Sequence, residues 1–170
     1  LSFDMGGTTA KGALVHGGVP IKRYAMEVAR VHEFRKGSGL AIRIPAIDMI
    51  EIGAGGGSIA EIDARGLLRV GPRSAGADPG PACYGRGGAA PAVTDADLVL
   101  GRLNGACFLG GHMALDRALA ERAIGGIGAR LKLATVEAAL GITTIADGAM
   151  SLAVRAVSVV VATGGKSIPK

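Results

Sequence analysis

The chain has 170 residues, of which 49% are apolar and 19% are charged, so length and composition favour a folded domain with a buried core over a disordered segment. The net charge is +5, but the basic residues are scattered and the chain has few aromatic residues to stack on bases, so nucleic-acid binding is not expected. The two cysteines form neither a zinc-type spacing nor a disulfide framework, which fits a reducing, cytoplasmic location.

The first segment is a short apolar strand that ends in a carboxylate, a two-glycine turn, two hydroxyls and a lysine. Glycine lets the backbone approach an anion closely, hydroxyls and the lysine add donors and charge, and the carboxylate suits Mg²⁺ or a water. An ordinary hairpin, with the glycines as its turn, explains the same pattern equally well. The candidate residues are Asp4, Gly6, Gly7, Thr8, Thr9 and Lys11.

The next forty residues predict short strands. We expect a β-hairpin or meander from Phe3 to about Val31, with a turn at His16-Gly17-Gly18. The charged segment Glu33 to Gly39 indicates an exposed loop, and Ala41 to Ile44 alternates like a strand.

A second strand leads into a second glycine run. Ile47 to Ile52 is apolar except for Asp48 and Glu51, and it is followed at once by Gly53 to Ser58. Because this run has more glycine than a tight turn needs, we expect Gly55, Gly56, Gly57 and Ser58 to lie close to a ligand. The alternative is a crowded crossing of two backbones, which also requires glycine. We predict that the two glycine runs converge on one anion-binding site.

The middle of the chain predicts a hairpin and then a shaped loop. Ile59 to Asp63 pairs with Leu67 to Val70 around a glycine turn. Residues 71–88 alternate prolines with glycines, which is typical of a long functional loop. Cys83 in this loop has apolar neighbours, so it is interpreted as a packed small hydrophobe rather than a nucleophile.

Three helices are predicted in the remainder. The first is capped by Thr94 with Asp97 as the acid of a capping box, and the second ends at Gly125-Gly126. The third is capped by Thr135 and runs from about Val136 to Ala162; its charges argue against a membrane span. A valine cluster at 157–161 also fits a strand, because periodicity alone does not distinguish the two.

Four segments in order resemble the hydantoinase A/5-oxoprolinase family, a branch of the actin-like ATPase superfamily: Phe3–Lys11, Ile44–Ala60, Val70–Gly85 and Val93–Ala96. The resemblance implies an α/β fold, namely part of an actin-like (ribonuclease H-like) ATPase lobe with β-hairpins and glycine-rich loops followed by helices. Residues 1–170 are then a single partial domain, β-rich over 1–70, with the shaped loop over 71–93 and helices over 94–170.

The resemblance also implies ATP and Mg²⁺ as cofactors. Asp4 and Lys11 match catalytic positions, the two glycine runs with their hydroxyls match nucleotide contacts, and Asp4 and Asp48 are candidate metal ligands. In some hydrolytic members a histidine follows the aspartate that matches Asp48 by two residues. This chain has Ile50 there, which puts a further divalent metal in doubt and is more like the carboxylases.

The sequence leaves three functions open. The first is an ATP-dependent hydrolase that opens cyclic amides of the hydantoin or 5-oxoproline type by phosphorylating the substrate. The second is a subunit of an ATP-dependent ketone carboxylase of the acetone or acetophenone type, and the third is a catalytically inert fragment. Expected partners are the nucleotide, a small cyclic amide or ketone, other segments of the same subunit and a hydantoinase B-type subunit. No membrane or nucleic acid is expected, and one phosphate loop alone is expected to bind ATP weakly.

Overall fold

The computed structural model describes residues 1–29 and 37–162, with side chains described as far as residue 158. Most of the exposed loop predicted from Glu33 to Gly39 lies outside these ranges. Within them the chain is a mixed α/β structure with eleven strands and three α-helices. The strands are β1 Ser2–Met5, β2 Ala10–Ala13, β3 Val15–His16, β4 Val19–Pro20, β5 Lys22–Arg23, β6 Met26–Val28, β7 Leu40–Ile42, β8 Ala46–Ile47, β9 Met49–Ile52, β10 Ser58–Ile62 and β11 Leu68–Ser74. The helices are α1 Val93–Val99, α2 Arg117–Leu131 and α3 Thr135–Ala162.

The first sheet is antiparallel, with the strand order β1-β2-β9. Met5 pairs with Ala10, and Ala10 pairs with Ile52, so the end of β1, the start of β2 and the end of β9 lie side by side. The loops that follow β1 and β9 therefore leave the sheet at the same end of its strands, which we call the loop edge of the sheet. This register is what brings the two glycine runs together.

The two faces of this sheet differ in chemistry, because side chains alternate along each strand. One face carries Phe3, Gly12 and Ile50, and it packs against α3, where Val157 lies 3.4 Å from the position of a Cβ on Gly12. The other face is exposed and carries a cross-strand row of charged residues. The predicted hairpin or meander is confirmed in part: β1 pairs with β2 and β3 pairs with β4, whereas β5 and β6 pair with β8 and β7, which lie beyond the predicted segment.

The hairpin of β10 and β11 is confirmed, but its second strand is longer than predicted. Instead of ending at Val70, β11 continues to Ser74, which pairs with Ser58 beyond an irregularity in the register. Gly71 has a φ of +69°, a conformation that glycine adopts at little cost and that lets the strand bend. The pairing through Ser74 carries β11 to the edge where the glycine runs lie.

The start of α1 differs from the prediction that Thr94 caps the helix with Asp97. The N-cap is Ala92, and the acid three residues later is Asp95, whose Oδ2 accepts a hydrogen bond from the Ala92 amide at 2.8 Å. Thr94 lies inside the helix and its hydroxyl donates to the Gly56 carbonyl. The capping prediction was wrong because the helix begins earlier than its apolar pattern indicates.

The second helix also continues past its predicted end. Gly125-Gly126 lies within α2, which ends at Leu131, before Lys132 with a left-handed φ of +58°. A helical glycine costs about 1 kcal/mol, but Ile124 and Ile127 on the same turns are buried, and their burial outweighs that cost.

The third helix is continuous and begins at Thr135 itself, so the valine cluster is helical. It packs against α1, α2, β2, β9 and β11. By length and composition alone, Thr135–Ser158 is a segment that could cross a membrane, with a mean hydropathy of 1.3. Four of its buried residues belong to the main core beneath the hairpin of β10 and β11: Ala138, Ala139, Ile142 and Ala146 join Ala60, Leu98, Ile124 and Ile127.

Candidate functional site

The two glycine runs meet at the edge of the first sheet. The Gly56 amide donates to the Gly6 carbonyl at 3.0 Å, and the Gly57 amide donates to the Gly7 carbonyl at 2.6 Å. The second run therefore lies against the backbone of the first turn. The sequence prediction that the two runs converge is confirmed; that they form an anion site remains a prediction.

The contact is close enough to require glycine. A Cβ on Gly55 would lie 2.6 Å from the Gly6 oxygen and 2.7 Å from the Gly7 carbonyl carbon, distances that real Cβ atoms do not show. A Cβ on Gly57 would lie 2.9 Å from the Gly7 oxygen. By contrast, no atom lies within 4 Å of a Cβ built on Gly7. The glycines of the second run thus permit a backbone crossing, while Gly7 faces open space.

The amides of the two runs are in different states. In the second run, Gly55 donates to the Ser58 hydroxyl, Ser58 donates to the Gly55 carbonyl, and the two glycines between them donate to the first turn. In the first turn, the amides of Gly7, Thr8 and Thr9 have no acceptor within the described parts of the chain. Consecutive amides of this kind are the donors of an anion-binding loop, so the first turn is the better candidate for phosphate.

A row of three charged residues crosses the exposed face of the sheet beside this turn. Asp4 pairs with Lys11 across β1 and β2, and Lys11 pairs with Glu51 across β2 and β9. The Lys11 Nζ lies 3.9 Å from a Glu51 oxygen, and both side chains are about half exposed. We call this row the charged ladder. It brings together the two residues predicted to be catalytic, Asp4 and Lys11, and adds Glu51.

Asp48 lies away from that turn. It precedes β9, three residues from Glu51, which is roughly 10 Å along an extended strand. Its Oδ1 is 2.6 Å from the Arg23 Nε, so the carboxylate already has a cationic partner. A divalent metal at Asp48 would compete with that guanidinium, and the metal role of Asp48 stays a prediction.

Asp4 suits a magnesium–nucleotide complex better. Mg²⁺ is commonly held by one or two carboxylates together with substrate phosphates, and Asp4 is exposed within two residues of the turn with the free amides. Within residues 1–29 and 37–162, no three His, Cys, Asp or Glu side chains gather as a protein-only metal site. A metal ion at Asp4 would therefore have to take its remaining ligands from phosphate oxygens or water.

The sequence analysis missed Ser74, which connects the first turn to the proline- and glycine-rich loop over residues 71–88. Its hydroxyl oxygen lies 3.1 Å from the Thr8 hydroxyl oxygen and accepts a hydrogen bond from the Gly76 amide at 3.1 Å. The next amide, that of Ala75, donates to the Gly57 carbonyl. Ser74 therefore fixes Thr8 and the proline- and glycine-rich loop in one arrangement. The serine in that loop had no local motif around it that predicted this contact.

Asp95 holds the other end of the same loop. Its carboxylate is fully buried and accepts hydrogen bonds from three amides, those of Ala82, Cys83 and Ala92, at 3.2, 2.7 and 2.8 Å. Cys83 is fully buried as well, and burial together with the adjacent carboxylate raises the pKa of its thiol above the ordinary range. A thiol in that state is a poor nucleophile, which agrees with its interpretation as a packing residue.

A sequence model of the hydantoinase/oxoprolinase family matches residues 1–164. The chain belongs to the hydantoinase/oxoprolinase family. It is 42% identical over 160 residues to the caprolactamase alpha subunit of Pseudomonas jessenii, covering 94% of this chain and 22% of that subunit. It is 47% identical over 116 residues to the acetophenone carboxylase gamma subunit of Aromatoleum aromaticum, covering 67% of this chain and 16% of that subunit.

Solved structures of family members share the fold. The ATP-dependent caprolactamase of Pseudomonas jessenii superimposes with a TM-score of 0.73 at 42% identity, covering 91% of this chain and 21% of that one. Nucleotide-free acetone carboxylase, from work on ATP-dependent acetone carboxylation, gives a TM-score of 0.72 at 30% identity, covering 86% of this chain and 20% of that one. The chain thus has the fold of part of an actin-like ATPase lobe and spans about a fifth of the length of these relatives. They include an ATP-dependent caprolactamase and an ATP-dependent acetone carboxylase, and two of the relatives are named as subunits.

Proposed function

We propose that this chain forms the phosphate-binding part of an ATP-dependent enzyme that opens a cyclic amide by phosphorylating the amide oxygen. The observation that carries the proposal is the run of free amides at Gly7, Thr8 and Thr9, held at an exposed turn by the backbone of the second glycine run. Similarity to caprolactamase over almost the whole chain supports a cyclic amide as the substrate class. Transfer of the γ-phosphoryl group from ATP to the amide oxygen releases ADP and makes the ring carbon electrophilic. One water adds to that carbon and the C–N bond breaks, which leaves an amine and an acyl phosphate. A second water then hydrolyses the acyl phosphate to a carboxylate and phosphate.

The residues divide this work by position. The amides of the first turn and the Thr8 hydroxyl bind phosphate oxygens, and their fixed geometry places charge stabilisation where phosphoryl transfer needs it. Asp4 would hold Mg²⁺, which would neutralise charge that develops on the phosphates. Lys11, in the middle of the charged ladder, supplies positive charge next to Asp4, and Glu51 keeps its ammonium group in place.

The second glycine run has a different task in this proposal. Its own amides are already bonded within the chain, so Gly55 to Ser58 binds nucleotide only if the run rearranges. We propose that it acts mainly as a support that presents the first turn. The sequence prediction that this run contacts the nucleotide directly is kept as the alternative, since either role would make its glycines indispensable.

A second function, ATP-dependent carboxylation of a ketone, is favoured by a separate observation. Position 50 is isoleucine, and the carboxylate of Asp48, two residues earlier, is paired with Arg23; among residues 1–29 and 37–162 it gathers with no group of metal-ligand residues. The chain is also 47% identical to the acetophenone carboxylase gamma subunit over 116 residues. In this alternative the phosphate loop is unchanged, and only the phosphoryl acceptor differs.

The test is substrate-dependent ATP hydrolysis by the full-length protein that carries this chain, assembled with its partner subunit, using caprolactam, 5-oxoproline and acetophenone with bicarbonate. Stimulation by a cyclic amide supports the hydrolase, and stimulation by ketone plus bicarbonate supports the carboxylase. Asp4→Asn should lower ATP turnover by about 10²-fold or more while the protein stays folded, because one carboxylate at the metal contributes several kcal/mol to the barrier. Near-normal turnover in Asp4→Asn would refute its assignment. We further propose a cytoplasmic location, supported by the two free thiols.

A further inference from the structure

A backbone connection joins the first turn to the proline- and glycine-rich loop. The Gly57 amide donates to the Gly7 carbonyl at 2.6 Å, and the Ala75 amide donates to the Gly57 carbonyl at 2.8 Å. The direction of these hydrogen bonds is fixed, because a backbone N–H group can only donate and a carbonyl oxygen can only accept. This connection therefore holds the loop against the turn in the same way whether or not an anion is bound.

A second connection runs through two side-chain hydroxyls. The Ser74 oxygen lies 3.1 Å from the Thr8 oxygen, and it also accepts a hydrogen bond from the Gly76 amide at 3.1 Å. A hydroxyl has one proton to donate and two lone pairs with which to accept, so either member of the Ser74–Thr8 pair can be the donor. Of the two connections, only this one can reverse its direction.

An anion at the first turn would select one of the two directions. Thr8 is exposed, and it lies in the turn whose amides at Gly7, Thr8 and Thr9 have no acceptor within the described parts of the chain. An ionised phosphate oxygen accepts hydrogen bonds and has no proton to donate, so the Thr8 hydroxyl donates its only proton to it. The Thr8 oxygen is then left as an acceptor, and Ser74 has to donate to it.

The selected direction gives a chain of three hydrogen bonds that ends at the anion. The Gly76 amide donates to Ser74, Ser74 donates to Thr8, and Thr8 donates to the anion. Hydrogen bonds aligned head to tail polarise one another, and a charged acceptor at the end of the chain strengthens the effect. The influence of the anion therefore extends to Gly76, which begins an exposed segment of the loop over residues 76–79.

This exposed segment is short, because its far end is held independently of the turn. The Gly80 amide donates to the Ala75 carbonyl at 3.2 Å. Just beyond it, the amides of Ala82 and Cys83 donate to the buried carboxylate of Asp95. Residues 76–79 are therefore the part of the loop whose order can respond to a change at the turn.

We propose that Ser74 is a positioning residue that directs the Thr8 hydroxyl toward a bound phosphate and thereby links phosphate occupancy of the first turn to the order of residues 76–79. The inference rests on the proposed ATP-dependent function and adds a coupling between its phosphate site and the loop. Linkage makes the effect reciprocal: the factor by which bound phosphate stabilises the loop is the factor by which the ordered loop raises the affinity for phosphate. Contacts made by residues 76–79 therefore depend on whether the turn is occupied.

Hydrogen exchange on the full-length protein, resolved to single amides by mass spectrometry, tests this coupling with and without saturating Mg-ATP. In the wild type, Mg-ATP should slow exchange of the Gly76 amide about threefold or more, because a strengthened hydrogen bond opens less often. In Ser74→Ala and in Thr8→Val, the same addition should change exchange at Gly76 by less than about 1.5-fold. A purely structural role of Ser74 would instead raise exchange at Gly76 in Ser74→Ala and leave the response to Mg-ATP intact.

Conservative variants and a matched control complete the test. Thr8→Ser and Ser74→Thr keep both hydroxyls and should retain the slowing by Mg-ATP. Ser2→Ala removes an exposed hydroxyl from β1 and should behave as the wild type. Because Thr8 is exposed, Thr8→Val and Thr8→Ser decide the question if a change at Ser74 prevents folding. In calorimetry, Ser74→Ala should raise the Kd for Mg-ATP about three- to tenfold, the range that one hydrogen bond supports.

The pattern of exchange separates this inference from the function on which it rests. If Mg-ATP slows exchange at Gly7, Thr8 and Thr9 but leaves Gly76 unchanged, the coupling is wrong and the phosphate site stands. If Mg-ATP slows exchange at none of these four amides, the proposed phosphate site and the coupling are both wrong. Slowing at Gly76 that persists in folded Thr8→Val protein would overturn the chain of hydroxyls.

Discussion

Removal of the Asp95 carboxylate is expected to be among the most damaging single changes in the described part of the chain. The side chain is fully buried and accepts three hydrogen bonds, one from the start of α1 and two from the short helical turn Ala82–Tyr84. It thereby ties the proline- and glycine-rich loop to the helical core. No other side chain in the described part of the chain accepts hydrogen bonds from these three amides, which belong to three different positions.

The magnitude follows from what Asp95→Ala would leave behind. Each buried amide that loses its acceptor costs about 1–3 kcal/mol, and the costs do not add fully, because water enters part of the space left by the carboxylate. We therefore expect a loss of about 3–5 kcal/mol, which is a large part of the roughly 5–15 kcal/mol that stabilises a typical domain. At about 2–4 °C per kcal/mol for a chain of this size, Tm should fall by about 6–20 °C. The loss of stability in Asp95→Asn should lie between that of Asp95→Ala and the wild type. The side-chain NH₂ group of asparagine is itself a donor, so it cannot accept the hydrogen bond from one of the three amides.

Thermal unfolding followed by circular dichroism gives the global effect, and hydrogen exchange gives the local one. The amides of Ala82, Cys83 and Ala92 should exchange faster in Asp95→Ala even where the helices remain protected. Asp97→Asn is the matched control, because it changes a carboxylate on the same helix that is partly exposed and pairs with Arg102 at 3.3 Å; its effect should stay within about 1 kcal/mol. If the free energy of unfolding of Asp95→Ala lies within about 0.5 kcal/mol of the wild-type value and hydrogen exchange at these amides is unchanged, the reasoning from buried acceptors fails.

Three further predictions concern the turn and the thiols. Gly55→Ala should displace the first turn and weaken Mg-ATP binding by the full-length protein at least about tenfold, because the added Cβ meets backbone atoms of that turn. Gly7→Ala should leave the stability of the fold unchanged, because its Cβ meets no atom within 4 Å. Equal affinities for ATP in the wild type and Gly55→Ala would contradict the close contact. Ser74→Ala should lower ATP turnover because Thr8 loses its hydrogen bond to the Ser74 hydroxyl, and Ser74→Thr, which keeps a hydroxyl, should restore much of the turnover. If Ser74→Thr is no more active than Ser74→Ala, the hydroxyl is not what matters at this position. In native protein near neutral pH, a thiol reagent should label the exposed Cys107 and spare the buried Cys83, and both should react in denaturant. Rapid native labelling of Cys83 would show that the loop opens.

The sequence predicted best those features that depend on the nearest neighbours along the chain. The short apolar segment before the first turn predicted a strand, and the residues from Ile59 to Val70 predicted a hairpin; the structure confirms both. The long third helix is also confirmed. It could be predicted because an apolar run of that length is difficult to place in any other element. The order of four motifs supplied the family and the α/β fold, which no single motif would have identified.

The features that the sequence did not predict depend on contacts between distant residues. Asp95 and Asp97 are both acids near the start of one helix, and the choice between them is made by amides twelve and thirteen residues earlier in the chain. Similarly, Gly125-Gly126 reads as a helix end until the burial of the isoleucines on either side is known. Local propensity is worth about 1 kcal/mol at each such position, and tertiary burial exceeds it.

The second glycine run shows why a composition signal can be correct and its chemistry still ambiguous. A dense glycine run means that something approaches the backbone closely, and the sequence cannot say whether that is a phosphate or another piece of chain. Here a Cβ on Gly55 would meet the backbone of Gly6 and Gly7, and the amides of the run are bonded within the chain, so the approach is backbone to backbone. The free amides lie instead on the first turn, where the side of Gly7 is open. A rigid second run fixes the position of those amides before any anion arrives, and donors fixed in advance bind and stabilise charge better than donors that must first be ordered. In the proposed function, the glycines that touch only protein thus contribute to phosphate binding through the first turn, which they support.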